Sequence, residues 1–172
     1  MPLVKKYYDN GQLAEEYFEN DMKVQDEYKS YYENGQLGVI CNYVNGKKEG
    51  EYKDYYRAGQ LNEICNFVNG KKEGKCLKYH ENGRLRVTCK YINGKTEGEY
   101  KRYYADGQLN NIYNYIDGKL DGEYELYNEN GQLFETGRIF EDRHVWEIYT
   151  NHKKQDGEIQ DGEIQDGEIQ ES

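Results

Sequence analysis

One tetrapeptide constrains what this chain can fold into. Asn-Gly-Gln-Leu begins at Asn10, Asn34 and Asn130, and near-copies begin at Ala58, Asn82 and Asp106, with Arg84 replacing the glutamine after Asn82. The six starts are spaced by 24 residues, with no insertion or deletion between them. A second signal falls between them: Asn45-Gly46-Lys47, Asn69-Gly70-Lys71, Asn93-Gly94-Lys95 and Asp117-Gly118-Lys119. It degrades to Asp21-Met22-Lys23 in the first unit and to Glu141-Asp142-Arg143 in the last, as capping repeats do.

Asn-Gly and Asp-Gly are strong hairpin signals, because both residues tolerate the positive φ of primed turns. The segments between them, such as Glu51–Tyr56 and Gln60–Val68, are short and rich in aromatic and β-branched residues, and no proline follows Pro2. The expected fold is therefore all-β. It is an elongated array of antiparallel β-hairpins forming a single twisted meander sheet of about six repeats. Some twelve strands at ~4.8 Å each would extend roughly 55–60 Å across the sheet. A leucine-rich repeat needs several leucines per unit, whereas here one column is leucine: Leu13, Leu37, Leu61, Leu85, Leu109 and Leu133.

Leu, Ile, Val and Phe make up only about 18 % of the 172 residues, and the net charge is −10, a composition that alone suggests disorder. The 20 tyrosines argue otherwise. Six of them fall in register at Tyr7, Tyr31, Tyr55, Tyr79, Tyr103 and Tyr127, beside a looser column of Tyr8, Tyr32, Tyr56, His80, Tyr104 and Asn128. Rings stacked across neighbouring strands are expected to replace a conventional core. A two-residue turn at Ala58-Gly59 would put Leu61, Cys65 and Phe67 on one face with Tyr52 and Tyr56. Tyr55, Asn62, Ile64, Asn66 and Val68 would then share the other.

Repeated residues set the shape, and varied ones can encode a partner. The varied positions are Gly38, Asn62, Arg86, Asn110 and Phe134. The candidate binding residues are Asn62, Arg86 and Asn110, together with Tyr55, Tyr79 and Tyr103 of the regular column, since tyrosine is favoured at interfaces. No nucleophile–base pair, phosphate loop or carboxylate pair with catalytic spacing is found, so no catalytic residue is expected.

Lysines gather in the turns of one rim, including Lys23, Lys47, Lys71, Lys95 and Lys119, and acidic residues follow at Glu49, Glu73, Glu97 and Asp121. A solvated, edge-protecting rim is favoured over an anion-binding one, which makes membrane-lipid binding the weaker reading. Overall acidity opposes nucleic-acid binding. Cys41, Cys65 and Cys89 stand in one column, two strands apart at ~9.6 Å, too far for disulfides among themselves. Cys65 and Cys76 would face each other if Val68 paired with Glu73. The first residues offer no apolar signal-peptide core, so free thiols in a reducing, cytoplasmic setting are expected. With no Cys-x-x-Cys and only scattered histidines, neither a zinc site nor a cofactor is expected. Residues 1–152 read as the repeat domain. Residues 153–172, with three copies of Asp-Gly-Glu-Ile-Gln, read as an acidic low-complexity tail expected to be disordered.

The string Gly-Glu-Tyr-Lys-x-Tyr-Tyr-x-x-Gly-Gln-Leu from Gly50 to Leu61, with Tyr-x-Asn-Gly-Lys-x-x-Gly from Tyr91 to Gly98, resembles the MORN-repeat variant. The resemblance runs over about residues 4–150. Departures are Cys76 in a tyrosine column, His80 after Tyr79, and the terminal units. The resemblance implies an elongated hairpin sheet and no catalytic residue. Bacterial proteins of this variant are commonly named YwqK-like antitoxins, and eukaryotic MORN proteins act as scaffolds at membranes and the cytoskeleton. Choline- or glucan-binding cell-wall repeats are similar but Trp-rich, whereas this chain has only Trp146. Two functions remain open. One is an antitoxin- or immunity-like module that captures a protein partner, such as a basic toxin, on one sheet face. The other is a scaffold that self-associates.

Overall fold

In a computed structural model of the chain, residues 1–140 are described throughout, and residues 143–145 through their backbone. The strands are β1 (Leu3–Tyr7), β2 (Leu13–Asn20), β3 (Lys23–Tyr31), β4 (Leu37–Val44), β5 (Lys47–Tyr55), β6 (Leu61–Val68), β7 (Lys71–Tyr79) and β8 (Leu85–Ile92). They continue as β9 (Lys95–Thr96), β10 (Gly98–Tyr103), β11 (Leu109–Ile116), β12 (Lys119–Leu120), β13 (Gly122–Tyr127), β14 (Leu133–Phe140) and β15 (Arg143–Val145). Each pairs antiparallel with the next, so sheet order follows chain order, with β9 on β8 and β12 on β11 as short outlying pieces. The all-β single meander expected from the period is what forms. The acidic tail and His152 lie outside the described residues.

The two rims use different turns. At Asn45-Gly46 both residues have positive φ (53° and 76°), and Val44 faces Lys47, which is a two-residue primed turn. The same geometry recurs at Asn69, Asn93 and Asp117. On the opposite rim the expected two-residue turn at Ala58-Gly59 does not form. Gly59 N–H donates to Tyr56 O and Tyr56 N–H to Gln60 O, both at 2.8 Å, closing a three-residue loop with only Gly59 left-handed (φ 94°).

A bulge comes directly after that loop. Tyr55 faces Leu61 and Asp54 faces Glu63, so Asn62 is the extra residue. This corrects the expected faces. Leu61 goes with Tyr55, while Asn62 joins Asp54 on the face of Tyr52 and Cys65; Phe67 remains there. A second irregularity lies across each primed turn. Cys41 faces Tyr52 but Asn42 faces Glu49, which inserts Gly50 and Glu51 with Gly50 at φ 76°. Gly74 takes that role in the next unit, and in the first unit Asp26 does (φ 57°), a residue whose short polar side chain tolerates the conformation. The two-residue turn pairs Val68 with Lys71, not Glu73, and the bulge then shifts the register so that Ile64 faces Leu77, which brings Cys76 to the level of Cys65.

The core is one row of side chains crossing the strands. Register pairs Tyr17 with Tyr28, Tyr28 with Cys41, Cys41 with Tyr52, Tyr52 with Cys65, Cys76 with Cys89, Tyr100 with Tyr113 and Tyr124 with Gly137. In four of these seven pairs a large side chain stands beside a small one. A Cβ on Gly137 would lie 2.7 Å from the Tyr124 ring, so that position must stay empty for the ring to fit. Ring pairs Tyr17–Tyr28, Tyr52–Phe67, Tyr100–Tyr115 and Tyr113–Tyr124 have centroids 5.4–6.0 Å apart. The stacking expected of the six-fold column is thus carried by other tyrosines.

Hydrogen bonds then join unit to unit. The looser aromatic column proves to be a clamp. Tyr8, Tyr32, Tyr56 and Tyr104 donate their hydroxyls to the carbonyls of Tyr31, Tyr55, Tyr79 and Tyr127 at 2.6–2.8 Å. His80 keeps the position with Nε2 at 2.9 Å from Tyr103 O, a contact that requires the Nε2–H tautomer. On the primed-turn rim, Glu49, Glu73 and Glu97 accept the N–H of Asn69, Asn93 and Asp117 at 2.8–2.9 Å.

Candidate functional site

A second row runs beside the core row on the same face, and it does not repeat. Lys6, Glu15, Ser30, Val39, Asp54 and Glu63 stand opposite one another in turn. Lys78, Val87, Arg102, Asn111, Leu126 and Glu135 continue the row. The bulge residues lie against it: Ala14 and Gly38 in the first units, then Asn62, Arg86, Asn110 and Phe134.

Where those residues are small the surface opens. A groove of about 420 Å³ is lined by Ala14, Ser30, Gly38 and Val39, by Tyr8 and Tyr32, by Lys6, and by the carboxylates of Glu15 and Asp54. The clamp bonds fix the two tyrosines. Glu15 accepts from Lys6 Nζ at 2.9 Å and from the Tyr28 hydroxyl at 3.1 Å. Burial, reinforced by the Glu15 charge, pushes Tyr28 up to about 12. Asp54 accepts from Asn62 Nδ2 at 2.6 Å.

The sequence candidates divide between faces. Asn62 and Arg86 come together, with Arg86 Nη2 3.5 Å from Asn62 Oδ1, and Asn62 joins the pair to the groove through its bond to Asp54. Arg86 Nε is buried without a partner. Asn110 accepts from Asn111 Nδ2 at 2.7 Å. Tyr55, Tyr79 and Tyr103 are half-buried, face Leu61, Leu85 and Leu109, and follow their column to the opposite face, where Tyr31 donates to Glu16 at 2.6 Å. Sequence reasoning missed Tyr8, Tyr32, Glu15 and Ala14 as groove residues. The signal for Ala14 was available, since it heads the column of varied residues.

The chemistry on offer is recognition. Aromatic walls, a floor of small residues and two carboxylates, of which Glu15 is already paired with Lys6, suit a cationic side chain, which gains from the Asp54 charge and from the ring faces. Elsewhere on this face, Cys65, Cys76 and Cys89 are buried free thiols packed with Val87. S–H donation to the Cys76 sulfur, reinforced by burial, raises Cys65 and Cys89; receiving those two bonds lowers Cys76.

The sequence model of the MORN repeat variant matches six segments: residues 3–20, 27–45, 48–69, 72–93, 96–117 and 120–140. The chain belongs to the MORN repeat variant family. MORN repeats are non-catalytic modules that generally bind proteins or membranes. The longest gap between matched segments, 21–26, is where this MORN sheet replaces both turn and bulge glycines with Met22 and Asp26. No curated protein matches the chain. Among solved structures, one titled "Crystal structure of GtfA/B complex bound to UDP and GlcNAc" is similar, at 13 % identity and a TM-score of 0.28. The likeness covers 66 % of this chain and 22 % of that one, so this MORN chain spans about a fifth of that structure.

Proposed function

We propose that this protein is a non-enzymatic module that captures a basic protein partner on the face bearing the Ala14–Gly38 groove. The carrying observation is the groove itself: two clamped tyrosines and two carboxylates around a gap that later repeats fill. Asn62, Arg86 and Asn110 extend the contact along the same face. An antitoxin- or immunity-like role suits the net charge of −10, which would steer a basic toxin toward the sheet and weaken with salt. Free thiols fit a cytoplasmic setting.

The test is a pull-down from lysate of the native source at low and high salt, comparing the wild-type chain with Gly38→Phe. Gly38 has ordinary φ, and its Cβ would meet neighbours at 3.4–3.5 Å. The equivalent Phe134 already stands exposed in the last unit, so the substitution should fill the groove and leave the sheet folded. A stoichiometric, salt-sensitive partner lost in Gly38→Phe supports the reading, and a partner retained by that variant removes the groove.

A second reading has its own observation. Val44, Val68, Ile92, Ile116 and Phe140 form an exposed apolar column on the primed-turn rim, opposite Lys47, Lys71, Lys95 and Lys119 in the first four cases. Such a rim suits edge-to-edge scaffolding. A clean bait eluting as a large species on sizing would favour it.

A further inference from the structure

The buried thiols carry more than packing requires. In the first unit Tyr28 donates its hydroxyl to Glu15 at 3.1 Å. The equivalent contact two units later joins Cys76 Sγ to Glu63 Oε1, also at 3.1 Å. A tyrosine has become a thiol and the carboxylate has followed it inward, where its side chain is only 13 % exposed. Cys76 is fully buried, Cys89 stands directly opposite it on β8, and Cys65 sits at its level on β6. The donor atoms of Glu63, Cys65 and Cys76 all lie within 4.8 Å of one another. A tetrahedral Zn²⁺ holding sulfur at ~2.3 Å requires donors ~3.8 Å apart, within reach of small side-chain rotations. A core in need only of small apolar groups would have no use for a carboxylate aimed at its sulfurs.

We propose that Cys65, Cys76 and Glu63, with Cys89 as fourth donor, form a binding site for a thiophilic divalent cation of the Zn²⁺ class. Lys72 now holds the carboxylate, with Nζ 2.5 Å from Glu63 Oε1, and Lys78 lies at 3.6 Å. On binding, each coordinating thiol releases its proton to solvent as its metal–sulfur bond forms, and the Lys72 ammonium leaves Glu63 for water. Lys72 is partly exposed at the surface and is the group whose swing admits the ion. The donors come from β6, β7 and β8, and 11 to 13 residues separate Cys76 from Cys65 and Glu63, which is why no short ligand motif announces them.

The experiment uses the full chain, metal-free and reduced with a phosphine, titrated with Co²⁺ and then Zn²⁺. One equivalent of Co²⁺ should produce thiolate charge-transfer absorption and the visible bands of a four-coordinate site, with proton release, and one equivalent of Zn²⁺ should abolish them. Cys76→Ser should remove the bands, whereas Cys41→Ser, one strand beyond Tyr52, should keep them. Lys72→Met should tighten binding, which a purely structural cluster would not show. Should Cys76→Ser fail to fold, Glu63→Gln serves instead and should weaken binding at least about tenfold. No stoichiometric band, bands retained in Cys76→Ser, or unchanged affinity in both Lys72→Met and Glu63→Gln would overturn the site.

Discussion

The two rims of this sheet are written with the same dipeptide and built differently. Asn45-Gly46 makes a primed turn with both residues left-handed, whereas at Asn34-Gly35 only the glycine is. What differs is the neighbourhood. Beside Asn45 stand Val44 and Lys47, and the unit is tied to its neighbours through main-chain and acidic groups. Gly46 N–H reaches Val24 O at 3.2 Å, and Glu49 caps Asn69 N–H at 2.8 Å. Beside Asn34 stand Tyr32 and Gln36, and the ties are side chains. Asn34 Nδ2 donates to Arg57 O at 2.9 Å, Asn34 Oδ1 accepts Gln36 N–H at 3.1 Å, and Tyr32 clamps Tyr55 O. A turn dipeptide fixes the loop only together with the contacts its flanking residues make to the next unit.

Both rims hang on the tyrosines between them, so the largest expected effect is alkaline. Tyr28, Tyr31 and Tyr124 are pushed up to about 12, each chiefly by burial, against about 10 in the unfolded chain. Folded pKa values raised in this way give stability that is whole below pH 10 and is lost as pH rises toward 12. Melting temperature should fall across that window, and a flat profile would show that these rings do not hold the sheet.

The side-chain rim should be the easier one to break by single substitutions. Tyr56→Phe removes one inter-unit bond and should cost about 1 kcal/mol in denaturant titration. Tyr56→Ala also removes the ring and should cost about 2 kcal/mol or more. His80→Tyr should be close to neutral, since a hydroxyl takes over the same carbonyl.

The asparagines sharpen the contrast further. Asn69→Ala places alanine at φ 52° and should cost about 1–2 kcal/mol. On the other rim Ala58 already occupies the equivalent place, where φ is not left-handed. Ala58→Asn should stabilise by about 0.5–1 kcal/mol if it gains the link that Asn34 and Asn82 make. Smallest of all, Val68→Thr on the exposed rim should stay within about 0.5 kcal/mol of wild type in the same titration. A larger loss would show that the apolar column is already covered.

The period, the hairpins and the meander were legible because each unit repeats its turn chemistry without a gap. The faces were not. Each unit carries two bulges, at Asn62 and Gly50 in one case; the one-residue insertion at Asn62 exchanges the sides of the strand residues beyond it, while the two-residue insertion of Gly50 and Glu51 moves the register by two and keeps them. The core row was hidden for a related reason. Its members fall in two interleaved 24-residue columns, Tyr17–Cys41–Cys65–Cys89–Tyr113 and Tyr28–Tyr52–Cys76–Tyr100–Tyr124. Only pairing brings them into line. His80 stood out in the sequence as an exception, but its reason, a donor owed to the carbonyl of Tyr103, needed the clamp to be seen. The groove was half-legible: Gly38 was singled out as varied, while Glu15 and Asp54 looked like ordinary strand charges.

Sheet order that runs with chain order has a mechanical consequence. Tension applied through β1 and β15 would load the hydrogen bonds of one terminal strand at a time, as in opening a zip. Extension should then proceed in steps of one 24-residue unit, each releasing one clamp and one capped turn. Load applied along the strands, from rim to rim, would meet every strand at once, so the sheet should yield readily along one axis and resist along the other.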